Sequence, residues 1–226
     1  MASQLDDAPV SEDEQRLRAA PGETDDRAFL AVLDETVAAL GAEGIDYLLM
    51  GGIASACIGR PRWTHDMDVF VKPEDAKRVL LALGRQGFET EETFPDWLYK
   101  AGKHGQLVDV IFRSVGDIYV DDEMLARARH SEFKGRSLII IPPEDLIVIK
   151  AVVAAEHMPR HWHDALGILA SCSDLDWDYL VYRARRGVRR VLSLLLYAQS
   201  NDLAVPWRPV RELFSLLDDD LPGDRR

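Results

Sequence analysis

The sequence predicts an α/β part followed by an all-helical part, and three patterns carry that expectation. Short apolar runs of strand length recur at residues 45–50, 67–71, 106–112 and 138–141. Segments with apolar residues at helical spacing separate the first of these runs. After Pro142-Pro143 only helical patterns follow, over 142–158, 160–171, 177–186, 188–200 and 207–217.

Each element has its own signal. Residues 28–43 place Leu30, Leu33, Val37 and Leu40 three or four apart, which lines one helix face, and Gly44 is a natural stop. Residues 45–50 lie between Gly44 and the Gly51-Gly52 pair and read as a buried strand. Residues 53–59 are small and mostly apolar, enough for two helical turns before Pro61 breaks them. Residues 67–71 make the second strand. Pro73-Glu74-Asp75 opens a helix with proline and acids, which suit the free N–H groups of a first turn, and Gly87 ends it. Residues 96–112 read as a β-hairpin, with arms 96–101 and 106–112 around a turn at Gly102-Lys103-His104-Gly105. In the second arm Leu107, Asp109 and Ile111 share one face, and Val108, Val110 and Phe112 the other. Residues 114–136 look irregular apart from a short helix at 121–129, and 138–141 close the α/β part as a strand.

Composition narrows the function classes. The 226 residues carry a formal net charge of −12, and 47% are hydrophobic, so a substantial core is available. Two cysteines, Cys57 and Cys172, are too few for a disulfide scaffold or a cysteine-rich zinc site. The N-terminal residues have neither the basic start nor the apolar run of a secretory signal. No stretch approaches the roughly 18 uninterrupted apolar residues of a membrane span. A soluble, cytoplasmic protein is the expectation. Residues 1–26 hold eight acids and two arginines, and residues 218–226 hold four acids and two arginines. Both ends read as polar tails, leaving an α/β domain at 27–141 and a helical region at 142–217.

The segment 48–71 carries the chemistry. A strand runs into Gly51-Gly52, then a short helix, a loop, and Asp66-Met67-Asp68 at the head of a second strand. Two glycines after a strand let backbone approach a bulky anion, and a helix start presents N–H groups to phosphate. Asp66 and Asp68 are two apart on a strand, so both carboxylates leave one face. Such a pair suits Mg²⁺, which prefers oxygen ligands shared with substrate phosphates. Asp109 adds a third carboxylate between Val108 and Val110, where burial is costly without a partner or a metal.

In this order and spacing the residues resemble the nucleotidyltransferases of the DNA polymerase β superfamily. The lead-in Arg60-x-Arg62-x-Thr64-x-Asp66-x-Asp68, the Pro143-Glu144-Asp145-Leu146 helix with Lys150, and His161-Trp162-His163-Asp164 resemble its small prokaryotic branch. That branch includes abortive-infection toxin-like enzymes, and the resemblance covers about residues 28–171. It implies an α/β (α+β) fold: a nucleotidyltransferase-type mixed β-sheet with flanking helices and a helical C-terminal region. It implies transfer of an NMP from an NTP to a hydroxyl with release of pyrophosphate, supported by Mg²⁺ in a two-metal site. Asp66, Asp68 and Asp109 would be catalytic and hold the metals. Gly51, Gly52, Ser55, Arg62 and Lys150 would bind nucleotide. The acceptor would be RNA such as tRNA, or a protein, and the chain would be the toxin of a toxin–antitoxin system with an antitoxin partner. The alternative is a non-catalytic nucleotide- or partner-binding module that keeps the fold.

Other features have plainer readings. His157, His161 and His163 lack the matching Cys or Glu set of a zinc site, and Pro159 interrupts them. Asp164 could pair with a base, such as Lys150 on the preceding helix. Arg183, Arg185, Arg186, Arg189 and Arg190 form the densest basic run, either a solvated helix face or a hold for a phosphate-rich acceptor.

Overall fold

Asp68 and Asp109 stand side by side because two strands distant in sequence run parallel at the centre of one sheet. The computed structural model that shows this describes residues 23–60, 64 and 66–220. Its first helix, α1 (Glu23–Ala42), leads to β1 (Tyr47–Leu49), α2 (Gly51–Ile58) and β2 (Asp66–Val71). After a 3₁₀ turn at Pro73–Asp75 come α3 (Ala76–Arg85), β3 (Glu89–Phe94), β4 (Leu98–Lys103) and β5 (Gln106–Ile111). Then follow α4 (Asp122–Ala126), β6 (Arg129–Phe133), β7 (Arg136–Ile140) and α5 (Pro143–Val153). Four more helices complete the chain: α6 (Arg160–Ser171), α7 (Trp177–Ala184), α8 (Val188–Ser200) and α9 (Trp207–Asp220).

The mixed sheet has seven strands in the order β3-β4-β5-β2-β1-β7-β6, with β2–β5 and β1–β7 parallel and the remaining pairs antiparallel. The alternation expected in β2 and β5 holds. Met67, Val69, Val108 and Val110 are fully buried, and Asp66, Asp68 and Asp109 lie between them on the opposite face. α1 and α3 pack together against the β3–β5 half of the sheet.

Two strands lack the apolar alternation that marks the others, and both are sheet edges. β3 (ETEETF) is almost wholly exposed, and β6 (RHSEF) buries only Phe133. An edge strand needs charge to resist pairing with other chains, so it carries little hydrophobic signal. The hairpin turn is also shorter than the sequence reading. Lys103 pairs with Gln106, leaving His104 (φ 52°) and Gly105 (φ 73°) as a two-residue turn with both φ positive. α1 begins at Glu23, earlier than expected, and Asp26 near its start pairs with Lys134 at 2.9 Å.

α5 ties the helical part to the sheet. Every residue from Pro143 to Ala151 is buried, including three charged ones. Each of the three meets a group from a different stretch of chain. Glu144 accepts the Asp176 N–H at 2.7 Å, and Asp145 accepts the Tyr179 hydroxyl at 2.7 Å and pairs with Arg183 at 2.5 Å. Lys150 pairs with Asp164 of α6 at 2.8 Å. Buried charges are tolerated only with such partners, so these pairs fix how α6 and α7 sit around α5. One apolar core runs from α1 through the sheet to α9, across residue 142.

Candidate active site

The site begins where β1 turns into α2. Met50 extends the β1–β2 pairing by donating its N–H to the Asp68 carbonyl at 2.9 Å. The chain then reverses at Gly51, whose φ of +59° is strained for any residue with a side chain. The packing is more restrictive than the angle. A Cβ on Gly51 would lie 1.8 Å from Oδ2 of Asp68. The Gly52 N–H points at the same oxygen, 3.4 Å away. The helix thus starts at Gly51, two residues before the Ile53 start read from sequence, and the Gly52 N–H in its first turn faces a carboxylate. The Ser55 hydroxyl is buried and donates to the Gly51 carbonyl at 2.6 Å, which braces the turn from within the helix.

Across the sheet, register does the rest. Asp68 pairs with Asp109 on β5, and Asp109 pairs with Lys100 on β4. The three side chains therefore form a row across three adjacent strands, with Asp66 two residues before Asp68 on the same face. Lys100 Nζ donates to Asp109 Oδ1 at 2.9 Å. Burial, and next the charge of Asp109, push the Asp68 carboxyl up to about 6, against the opposing pull of Lys150. Asp66 adds to the upward push. Lys150 thus acts on this row electrostatically while bonded to Asp164.

The sequence-derived candidates divide as follows. Gly51, Gly52, Asp66, Asp68 and Asp109 come together at one turn and one sheet face. Lys150 belongs to the same neighbourhood through its effect on Asp68. Ser55 lies beneath the turn. Arg62 lies outside the described residues. Thr64 donates its hydroxyl to the Asp66 carbonyl at 3.1 Å, just ahead of the acidic pair. Arg60 is exposed and lies against Gly167 of α6, where an added Cβ would meet its Cγ at 2.9 Å. Lys100 was missed. With the turn placed at His104-Gly105, its pairing with Asp109 follows by counting outward along the hairpin.

Three carboxylates on a rigid face are hard oxygen donors of the kind Mg²⁺ prefers. The Gly51 backbone lies so close to Asp68 that any side chain there would collide with the carboxylate, so only glycine lets the turn and the acid meet. Among the described residues no three His, Cys, Asp or Glu side chains already converge as a metal cage, since Asp109 is turned to Lys100. The donor set fits a divalent cation, and Lys100 engages one oxygen of Asp109, Oδ1.

A mixed sheet with a Gly-Gly turn set against an Asp-x-Asp strand and a third strand acid is the framework of a nucleotidyltransferase. The family profile agrees: "Nucleotidyl transferase of unknown function (DUF2204)" matches residues 30–167, and the chain belongs to that family. The solution structure of the antibiotic-resistance factor ANT(2'')-Ia is similar to it, with 15% identity and a TM-score of 0.52, covering 77% of this chain and 99% of that one. The crystal structure of ANT(2'')-Ia in complex with adenylyl-2''-tobramycin gives 18% identity and a TM-score of 0.50, covering 70% and 97%. These likenesses concern the fold. Among curated proteins none matches. Among the described residues no helix is long and apolar enough to cross a membrane.

Proposed function

We propose that this chain transfers a nucleoside monophosphate from an NTP to a hydroxyl acceptor, with pyrophosphate leaving, in a Mg²⁺-dependent reaction. The observation that carries the reading is the β2–β5 register, which sets Asp68 beside Asp109 with Asp66 on the same face, at the mouth of the Gly51-Gly52 turn. When bound, Mg²⁺ would supply charge neutralisation for the triphosphate and lower the pKa of the attacking hydroxyl. Asp66, Asp68 and Asp109 would hold it.

The chain's own residues divide the remaining work. Gly51 and Gly52 admit the triphosphate close to backbone, and Ser55 keeps that turn in shape by its bond to the Gly51 carbonyl. Lys150, held by Asp164, and Arg62 supply positive charge to the phosphates. Asp109 stands on the strand next to the Asp66–Asp68 pair, placed to accept the proton of the acceptor hydroxyl. RNA such as tRNA, or a protein, is the acceptor class of this reading. A toxin role with an antitoxin partner belongs to the same reading.

The test is pyrophosphate release with each NTP and Mg²⁺ in the presence of cell lysate, for wild type and for Asp66→Ala plus Asp68→Ala. Release by wild type alone supports the reading. Equal release by both, or none from wild type with any NTP, defeats it. Growth arrest on expression, relieved by the same double substitution, would support the toxin role.

A further inference from the structure

The basic run near the end of α7 divides into two parts with different fates. Arg183 is withdrawn: it pairs with buried Asp145 and with Asp121, and belongs to the interior. Arg185, Arg186, Arg189 and Arg190 are all exposed, and together with Gly187 and Val188 they line one shallow concavity of about 230 Å³. None of the four has an acidic partner among the described residues. Other surface arginines divide: Arg27, Arg60, Arg160 and Arg211 also lack an acidic partner among the described residues, but they are scattered. Arg113, Arg127, Arg136 and Arg208 each meet an Asp or Glu. In a chain with 39 acids against 27 bases, these four arginines, without an acidic partner among the described residues, gather in one concavity.

The concavity is packed closely onto α5. An added Cβ on Gly187 would lie 2.3 Å from Cγ2 of Val152, so the α7–α8 turn is pressed onto the last turn of α5. Arg190 donates to the Ala154 carbonyl at 3.0 Å, one helical turn (about 6 Å along the axis) beyond Lys150. α8 opens at Val188 without a side-chain cap and without an acid in its first turn, so its positive end adds to the arginine field. Tyr182 is 55% exposed and lies one tight turn before Arg185, whose N–H bonds the Tyr182 carbonyl.

We infer that this concavity docks the backbone of a single-stranded nucleic acid, with Tyr182 offering a stacking face to a base. Guanidinium forks match phosphate oxygens, and an exposed aromatic beside a basic groove is the pairing that single strands require. A phosphopeptide would use the arginines and leave the tyrosine idle. The inference rests on the proposed transfer reaction in one respect: it names nucleic acid as the acceptor class and places the strand's entry one turn of α5 from Lys150.

The test is fluorescence anisotropy of a labelled single-stranded oligoribonucleotide over a KCl series, without NTP or Mg²⁺. Each phosphate contact lowers the slope of log K against log salt by about 0.7 for single strands. Arg185→Ala plus Arg186→Ala plus Arg189→Ala should weaken binding at least tenfold and reduce the slope by about 2. The matching Arg→Lys triple should keep most of the slope. Tyr182→Ala should weaken binding several-fold and leave the slope unchanged. Because the assay contains no NTP, its outcome is separate from that of pyrophosphate release. No binding by wild type, or equal binding by the Ala triple with its thermal melt intact, overturns the inference. So does an acidic peptide of equal charge that binds as tightly and with the same arginine dependence.

Discussion

Lys100 Nζ lies 2.9 Å from Asp109 Oδ1, and the two residues face one another across the β4–β5 ladder. This ammonium partly neutralises a row in which Asp68 and Asp109 are strand neighbours. In Lys100→Met the carboxylates repel one another without that charge. Thermal melts in a chelator should show a loss on the order of 1 kcal/mol, as for other partly exposed pairs. Mg²⁺ should then raise the melting temperature of the variant more than that of wild type. A smaller Mg²⁺ response in the variant would mean that Lys100 serves the site by positioning Asp109 and does not compete with the cation.

Gly51 and Gly105 both have positive φ, and only Gly51 has a neighbour in the way. Gly105→Ala meets nothing within 4 Å and bears the backbone cost alone, about 1–2 kcal/mol. Gly51→Ala adds a collision with the Asp68 carboxylate. It should destabilise clearly more than Gly105→Ala in denaturant titrations and abolish pyrophosphate release. Equal destabilisation by the two would show that the close approach at Gly51 is not maintained.

Lys150 and Asp164 are both buried, with side chains 4% and 8% exposed. Removing one partner of such a pair costs about 3–5 kcal/mol, because the other charge stays in a poorly solvating site. Lys150→Met should therefore destabilise strongly, and Lys150→Met plus Asp164→Leu should recover most of the loss. Urea unfolding of the two variants distinguishes these outcomes. If the double variant regains stability and still fails to bind NTP, the charge of Lys150 serves the nucleotide as well as the fold.

Burial pushes the Asp145 carboxyl from its ordinary 3.8 up to about 6, although Arg183 and Tyr179 pull the other way. Between those values the native state holds more proton than the unfolded chain. Stability contributed by this group therefore rises as pH falls from about 7 toward 4, by at most ~1.4 kcal/mol per pH unit. Asp68 is raised in the same sense. Asp145→Asn should remove one share of this slope in stability measured across that window. An unchanged slope would place the titration elsewhere.

Arg183 and Arg186 are three residues apart and should behave oppositely. Arg183→Ala strips the buried Asp145 of its ion pair and should cost about 3–5 kcal/mol. Arg186→Ala removes an exposed side chain and should stay within about 0.5 kcal/mol of wild type. Chemical denaturation of the two single variants is enough to tell them apart.

Much of the site was readable because local rules determine it. Period-two alternation puts Asp66 and Asp68 on one face whatever surrounds them, and Gly51-Gly52 after an apolar run marks a turn. Most of the helical half was legible for the same reason, since amphipathic spacing and proline positions are local. Its first helix, however, ends at Val153, short of the 158 read from sequence, because Ala154 turns to ψ 131°. The edge strands β3 and β6 were not readable, because charge on an edge erases the hydrophobic period. The place of Asp109 beside Asp68 was implied by family resemblance. Composition and spacing alone left it as an unusual acid in an apolar strand.

The sequence by itself determined the strand and helix inventory of the interior, the one-faced Asp66–Asp68 pair and the glycine turn. Tertiary structure alone decided which groups meet: Asp109 beside Asp68, Lys100 across from Asp109, the Gly51 backbone against a carboxylate, and Arg183 inside while Arg186 stays outside. The physical reason is range. Backbone propensity and side-chain periodicity act within a few residues, whereas pairing register and the partnering of buried charges depend on contacts between segments separated by tens of residues. Five arginines that look alike in sequence are therefore divided by the packing of α7 against α5 into one structural ion pair and four surface cations.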